Sequence, residues 1–173
     1  MPVRFLPLLL FALLAGVLLM QLSAKPAKPS DPLVGQSIPD FSLPPLEGIE
    51  KFSPQLMQGK PALLNIFASW CVSCAQEHAL LQALNKNEGI PVYGIAWKDK
   101  AENTKAWLAA RGNIYEAVGL DVDGKAVISL GLTGVPETYL IGADGMVIDI
   151  IRGPLDPMTI ETRLLPKIKA AKQ

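Results

Sequence analysis

"WCVSC", Trp70–Cys74, decides how this chain is read. It holds both cysteines of a 173-residue chain. Two cysteines are too few to staple a small disulfide-rich fold, and a chain this long buries a core without staples. A structural disulfide closing so short a loop adds little stability. A zinc site takes about four ligands. Cys71, Cys74 and His78 would supply three at most, and there is no second Cys-x-x-Cys. Covalent haem attachment needs histidine directly after the second cysteine, where Ala75 stands. Dithiol–disulfide exchange is the reading that survives, and it requires no metal and no cofactor.

The flanking residues say where the pair sits. "PALLNIFAS", Pro61–Ser69, is a short apolar run that reads as a buried strand. "AQEHALLQALNKNEG" follows the cysteines with leucines and alanines at helical spacing and stops at Gly89. Cys71 therefore stands where a strand hands over to a helix. Free backbone N–H groups and the helix dipole favour a negative charge there, so the Cys71 thiol is expected to ionise easily. Cys74, one turn further in, is placed to attack a mixed disulfide on Cys71 and release the partner. Trp70 flanks the opening.

Further along, "PVYGIAW" reads as a second buried strand and "AENTKAWLAARG" as a helix closed by Gly112. "GKAVISLGL" reads as a short helix. "ETYLIGADGMVIDIIRG" reads as two strands joined at Ala143–Asp144–Gly145. "DPMTIETRLLPKIKAA" opens with Asp156 as a cap and Pro157 in the first turn of a closing helix. Strand–helix–strand units imply parallel pairing with right-handed crossovers, and the final hairpin adds antiparallel strands. The expected fold class is α/β, a central mixed sheet flanked by helices.

The N-terminus is different in kind. Phe5 to Leu22, "FLPLLLFALLAGVLLMQL", carries no charge, and Arg4 precedes it. The run is near the lower limit for spanning a bilayer, and the positive-inside rule would keep its start in the cytoplasm and export the rest. It exceeds a usual signal-peptide core, and Leu22 fits a small-residue cleavage site poorly, which favours an uncleaved anchor over a cleaved signal. "SAKPAKPSDP", Ser23–Pro32, has linker composition. The expected organisation is a transmembrane anchor at 1–24, a linker at 25–33 and one globular domain at 34–173. Acidic and basic residues balance at 16 each, which argues against a nucleic-acid binder.

Three other positions invite a role. Glu77 lies three residues after Cys74, near the same helical face. A carboxylate there could take the Cys74 proton during resolution, or it could be a solvated helix glutamate. His78, four residues after Cys74, could tune the thiols or simply belong to the helix surface. Pro136 precedes a strand. An X–Pro bond there can be cis, although trans is commoner.

These features together resemble the thioredoxin fold, with Trp-Cys-x-x-Cys opening a helix and Val-Pro before a later strand. More closely, "IPDFSLPPL", "GKPALLNIFASWCVSCAQEH", "YGIAWKDK" and "GLTGVPETYLIGADG" resemble the CcmG/DsbE family of membrane-anchored periplasmic thiol:disulfide oxidoreductases of cytochrome c maturation. The likeness runs from about Val34 to Lys169, plus the anchor. Its most specific part is the Gly-x-x-Gly-x-Pro-Glu-Thr-aromatic signature at Gly131, Gly134, Pro136, Glu137, Thr138 and Tyr139.

The resemblance implies a cis Pro136 beside the cysteines, with Val135 offering backbone groups to a peptide. It makes Trp70, Val135, Pro136 and Glu137 the substrate-binding set, and Cys71, Cys74 and Glu77 the catalytic set. It reads Lys98 to about Val122 as an insert into the fold. It implies a bacterial inner-membrane protein, single-pass, with its C-terminal domain in the periplasm. A DsbD/CcdA-type membrane donor would keep it reduced, and its client would be apocytochrome c or a thiol protein of the maturation system. Two departures from thioredoxins stand out: Asn65 replaces a buried aspartate on the strand before the motif, and Val72–Ser73 replace Gly-Pro between the cysteines. Asparagine accepts no proton, which shifts acid–base work towards Glu77. A ResA/TlpA-like anchored thioredoxin with other exported clients, and a non-catalytic apocytochrome-binding module, are the alternatives. A peroxiredoxin is disfavoured because no Thr-x-x-Cys ends at Cys71.

Overall fold

The computed structural model describes residues 5–23 and 31–172. The chain divides into two units, Met1–Ser30 and Asp31–Gln173. The first contains helix α1 (Leu6–Ser23), on which Leu10, Phe11, Leu14 and Met20 are exposed. Among the described residues no helix is long and apolar enough to cross a membrane. At 18 residues α1 is about 27 Å long, against about 30 Å of hydrocarbon. Most of the expected linker lies outside the described residues. Its last three, residues 31–33, belong to the second unit instead, because the Asp31 carboxylate pairs with Arg152.

The second unit is built on β1 (Ala62–Phe67), whose six residues are all buried. Burial on both faces is what a continuous apolar run requires of a central strand. Helix α2 (Val72–Glu88) follows and ends at Gly89, which takes the left-handed conformation of a helix C-cap. Then come β2 (Val92–Trp97), helix α3 (Ala101–Arg111), β3 (Val118–Asp121), β4 (Glu137–Ile141) and β5 (Val147–Arg152). The sheet order is β3-β2-β1-β4-β5. β1 pairs parallel with β2, β2 parallel with β3, and β4 antiparallel with both β1 and β5. This is the expected mixed sheet, with the thioredoxin-like α/β arrangement.

Side chains alternate across the sheet. Leu63 and Phe67 face one core with Leu81, Trp107, Leu164 and Ile168 from the helices. Leu64 and Ile66 face the other with Phe41, Phe52 and Met57 from the segment before β1. Two expectations change. β3 lies inside the stretch read as an insert, where no strand was foreseen. It is held by β2 and by the N-terminal segment, through Leu46 N–H to the Val118 carbonyl and Leu120 N–H to the Pro44 carbonyl. The helix read over Gly124–Leu132 is only a 3-10 turn, Ala126–Ile128. Gly131, at φ 64°, turns the chain out of helical geometry.

The closing helix starts as expected. The Asp156 side chain accepts from Thr159 N–H at 2.9 Å, and Pro157 occupies the first turn, α4 (Pro157–Thr159). A π turn, Ile160–Leu164, then leads into α5 (Leu165–Ala171). It falls just before Pro166, which has no N–H to offer a regular α-helical bond.

Candidate active site

The strand β1 delivers Cys71 to the N-terminus of α2. Cys71 is the N-cap residue, with extended backbone, and its Sγ accepts the Cys74 N–H at 3.1 Å. The two cysteines form a disulfide with Cα atoms 5.3 Å apart. Cys71 is 6% exposed and Cys74 2%, so of the two sulfur-bearing residues the first is the more accessible. The Val135–Pro136 bond is cis, and Cys71 Sγ lies 3.8 Å from the Val135 carbonyl oxygen. The structure thus brings together the strand end, the helix start and the loop before β4, three segments far apart in the chain. Trp70 and Val72 are exposed beside them. The Trp70 indole N–H donates to the Lys98 carbonyl at 3.2 Å, and its ring lies 6.0 Å from that of Trp97.

Glu77 is not a solvated helix residue. It is 1% exposed and points inward from α2. Its Oε1 accepts from the Asn65 amide at 2.9 Å and its Oε2 from Leu155 N–H at 2.8 Å. Asn65 is oriented in turn by Tyr115, whose hydroxyl donates to Asn65 Oδ1 at 2.8 Å, leaving the amide N–H groups for Glu77 and Thr138. Burial pushes the Glu77 carboxyl up to about 7, although both hydrogen bonds pull the other way. The asparagine on β1 is therefore the donor that holds a buried acid one helical turn beyond Cys74.

His78 is neither a surface residue nor a partner of the thiols. It is buried, with Nε2 2.8 Å from the Gly112 carbonyl oxygen and its ring edge-on to Trp107 at 4.8 Å. Burial, and the nearby Arg111 charge, hold it below the usual histidine range despite the Gly112 bond.

Glu137 belongs to the expected substrate-binding set. Its side chain is fully buried. Its carboxylate receives Arg152 on both oxygens at 2.8 Å, Thr133 N–H at 2.9 Å and the Tyr139 hydroxyl at 2.8 Å. With these partners the carboxylate braces the loop that carries Val135. Arg152 also bonds the Gly131 carbonyl at 2.9 Å, closing the same loop from behind.

Asp99 was missed. It is 3% exposed, and it bonds the backbone and hydroxyl of Ser69 at 2.6 and 2.9 Å. Its only signal in the sequence is its place in "YGIAWKDK", a stretch that suggested kinship but no task. Among the described residues no group of His, Cys, Asp and Glu side chains is arranged to hold a metal.

Comparison with known proteins agrees with this site. The redoxin family profile matches residues 33–164. Thiol:disulfide interchange protein DsbE of Pseudomonas fluorescens biotype C is 37% identical over 164 residues, covering 95% of this chain and 92% of its own. DsbE of Escherichia coli K12 is 37% identical over 172 residues, with the same coverage of 95% and 92%. A crystal structure of a thiol:disulfide interchange protein of the thioredoxin family from Chlorobium tepidum TLS superposes with a TM-score of 0.63 at 26% identity. It covers 86% of this chain and 100% of its own. A redox-active pair at a helix N-terminus, on a thioredoxin-like sheet, in a sequence so close to these relatives, places the chain in the redoxin family, among the DsbE thiol:disulfide interchange proteins.

Proposed function

We propose that this disulfide oxidoreductase is an anchored, exported reductant of cytochrome c maturation. It would reduce the CxxCH disulfide of apocytochrome c or the disulfide of a maturation thiol protein. The observation that carries the reading is Cys71 at the N-terminus of α2, its sulfur bonded to Cys74 N–H, with the Val135 carbonyl alongside.

In the reduced protein the helix N-terminus favours the Cys71 thiolate. The thiolate attacks one sulfur of the client disulfide. A mixed disulfide forms, and the client's other sulfur leaves as a thiolate. Glu77 then takes the Cys74 proton, and the Cys74 thiolate attacks Cys71 Sγ. The Cys71–Cys74 disulfide closes and the client departs with both sulfurs reduced. Trp70, Val135 and Pro136 form the contact surface, and backbone groups beside Pro136 hold the client as an extended strand. A DsbD/CcdA-type membrane donor returns two electrons and two protons to the disulfide.

The direction of flow is tested by the equilibrium reduction potential of the full chain against glutathione. A value of about −270 to −200 mV is expected for a reductant; a value near −120 mV marks an oxidant and overturns the maturation role.

Residues 1–24 serve as a single-pass anchor in the bacterial inner membrane, with 34–173 in the periplasm. Phe5–Leu22 is uncharged, and a helix apolar on every side suits lipid or a deep core. The helix is short, and flanking residues or local thinning of the bilayer absorb a few ångströms of mismatch at small cost. After alkaline carbonate extraction of cell membranes, the full chain is expected in the pellet. Recovery in the supernatant would sink the anchor.

A further inference from the structure

The two residues after β2, Lys98 and Asp99, hold the two residues before Cys71. Asp99 Oδ2 accepts Ser69 N–H at 2.6 Å. Its Oδ1 accepts the Ser69 hydroxyl at 2.9 Å and Lys100 N–H at 2.8 Å. Lys98, between Trp97 and Asp99, is the one non-glycine residue with positive φ among the described residues, at 48°. In that strained conformation its N–H reaches the Asp121 carbonyl at 2.8 Å, while its carbonyl receives the Trp70 indole. Strain of this kind persists where surrounding contacts over-determine it, often at functional sites.

Asp99 is buried with three neutral donors and, among the described residues, no cation within ion-pair distance. A buried carboxylate normally finds a cation, because desolvation is costly. The other charges nearby are committed elsewhere. The Lys98 ammonium lies over the Trp97 ring at 4.6 Å, and the Lys100 side chain is exposed. Glu77 is tied to Asn65 and Leu155, Asp121 to the N–H groups of Ala126 and Val127, and His78 to Gly112.

We propose that Asp99 is a positioning residue for the exchange reaction: it holds Ser69 in place ahead of Cys71, and its unneutralised charge disfavours the Cys71 thiolate, which keeps the dithiol reducing. This rests on the reading of Cys71 as the attacking sulfur. Ser69 and Cys71 are two residues apart and Asp99 bonds Ser69 directly, so the reach of the chain keeps the carboxylate within roughly 10 Å of Cys71 Sγ. At an effective dielectric of about 20, a unit charge at that range moves a titration by about one pH unit. The helix N-terminus pulls the thiol towards ionisation and Asp99 opposes it. A less stable thiolate means a less stable reduced form and hence a stronger reductant.

The test uses the reduced full chain with Asp99→Asn, which keeps the shape and removes the charge, and with Asp99→Glu, which keeps the charge. Three quantities are read: the pH midpoint of Cys71 alkylation by iodoacetamide, the equilibrium with glutathione, and the thermal midpoint in both redox states. The Asn variant is expected to lower the alkylation midpoint by about one pH unit. It should also shift the glutathione equilibrium about tenfold towards the dithiol, about 30 mV more oxidising. The Glu variant should return both towards the parent values. Equal loss of thermal stability in both redox states, with midpoint and equilibrium unmoved, would show a purely structural residue and overturn the proposal. Should the Asn variant not fold, Ser69→Ala removes one donor from the carboxylate and should raise the midpoint; no movement there overturns it as well. In the parent chain Cys71 must label before Cys74. The reverse order would remove the premise, whereas correct order with unmoved midpoints removes only the role of Asp99.

Discussion

Cys74→Ser is expected to accumulate a stable mixed disulfide with a client, and Cys71→Ser to lose exchange to the uncatalysed level. The asymmetry follows from the helix N-terminus. Cys71 caps α2, receives the Cys74 N–H at 3.1 Å and borders the exposed Trp70 and Val72. A thiolate there is stabilised, and an incoming disulfide can reach it. Cys74, 2% exposed, sits inside the first turn among apolar side chains. A client cannot reach it directly, yet it stands within bonding distance of Cys71, as the disulfide itself demonstrates. Without Cys74 the first attack proceeds and nothing resolves it. Without Cys71 nothing starts. Non-reducing electrophoresis with a peptide carrying an oxidised CxxCH reads both outcomes. Trapping by the Cys71 variant and none by the Cys74 variant would invert the assigned roles.

Glu77→Gln is expected to slow resolution about 10²-fold at pH 7 and to flatten its pH dependence. In the parent chain resolution should rise with pH to a plateau, with a midpoint near the value of about 7 to which burial lifts Glu77, because only the carboxylate accepts the Cys74 proton. Stability must run the opposite way. Burial lifts the carboxyl above the ordinary glutamate value of 4.5, so the fold prefers the protonated acid. That preference is fully present below about pH 4.5 and is lost as pH rises through about 7. A shift of this size corresponds to on the order of 3 kcal/mol. With the disulfide intact, urea unfolding should show the parent losing stability between pH 4.5 and 8 relative to the glutamine variant. Part of the variant's advantage is offset because a glutamine has one acceptor oxygen to meet the two donors, the Asn65 amide and Leu155 N–H. Equal pH slopes in the two proteins would refute the raised carboxyl, and an unchanged resolution rate would remove Glu77 from proton transfer.

Much of the fold was legible in short stretches. "PALLNIFAS" had to be a doubly covered strand because nothing in it tolerates water except Asn65 and the terminal serine. Gly89, Gly112 and the Asp156–Pro157 pair marked helix ends, since caps act through backbone groups a few residues away. β3 was hidden for the opposite reason. Four residues, "VGLD", carry no period of their own, and Gly119 is a poor strand former. Phe52 packs so close to Gly119 that an added Cβ would stand 2.6 Å from its ring, which makes that glycine a packing requirement seen only in three dimensions.

The candidate site divides along the same line. The sequence by itself placed both cysteines at the start of one helix, one turn apart, because spacing along the chain decides that. Only the tertiary structure decided what the neighbouring charges do. Glu77 and Leu155 are 78 residues apart, Ser69 and Asp99 30, and Arg152 and Glu137 15. Whether a glutamate is a solvated helix residue, a buried acid or a brace under a loop depends on which donors surround it and how much water is excluded. Glu77 and Glu137 are the same residue type with opposite fates: one is held by neutral donors and pushed towards protonation, the other is paired with an arginine. Desolvation and partner identity are properties of packed neighbours, and packing joins residues whose separation along the chain carries no pattern.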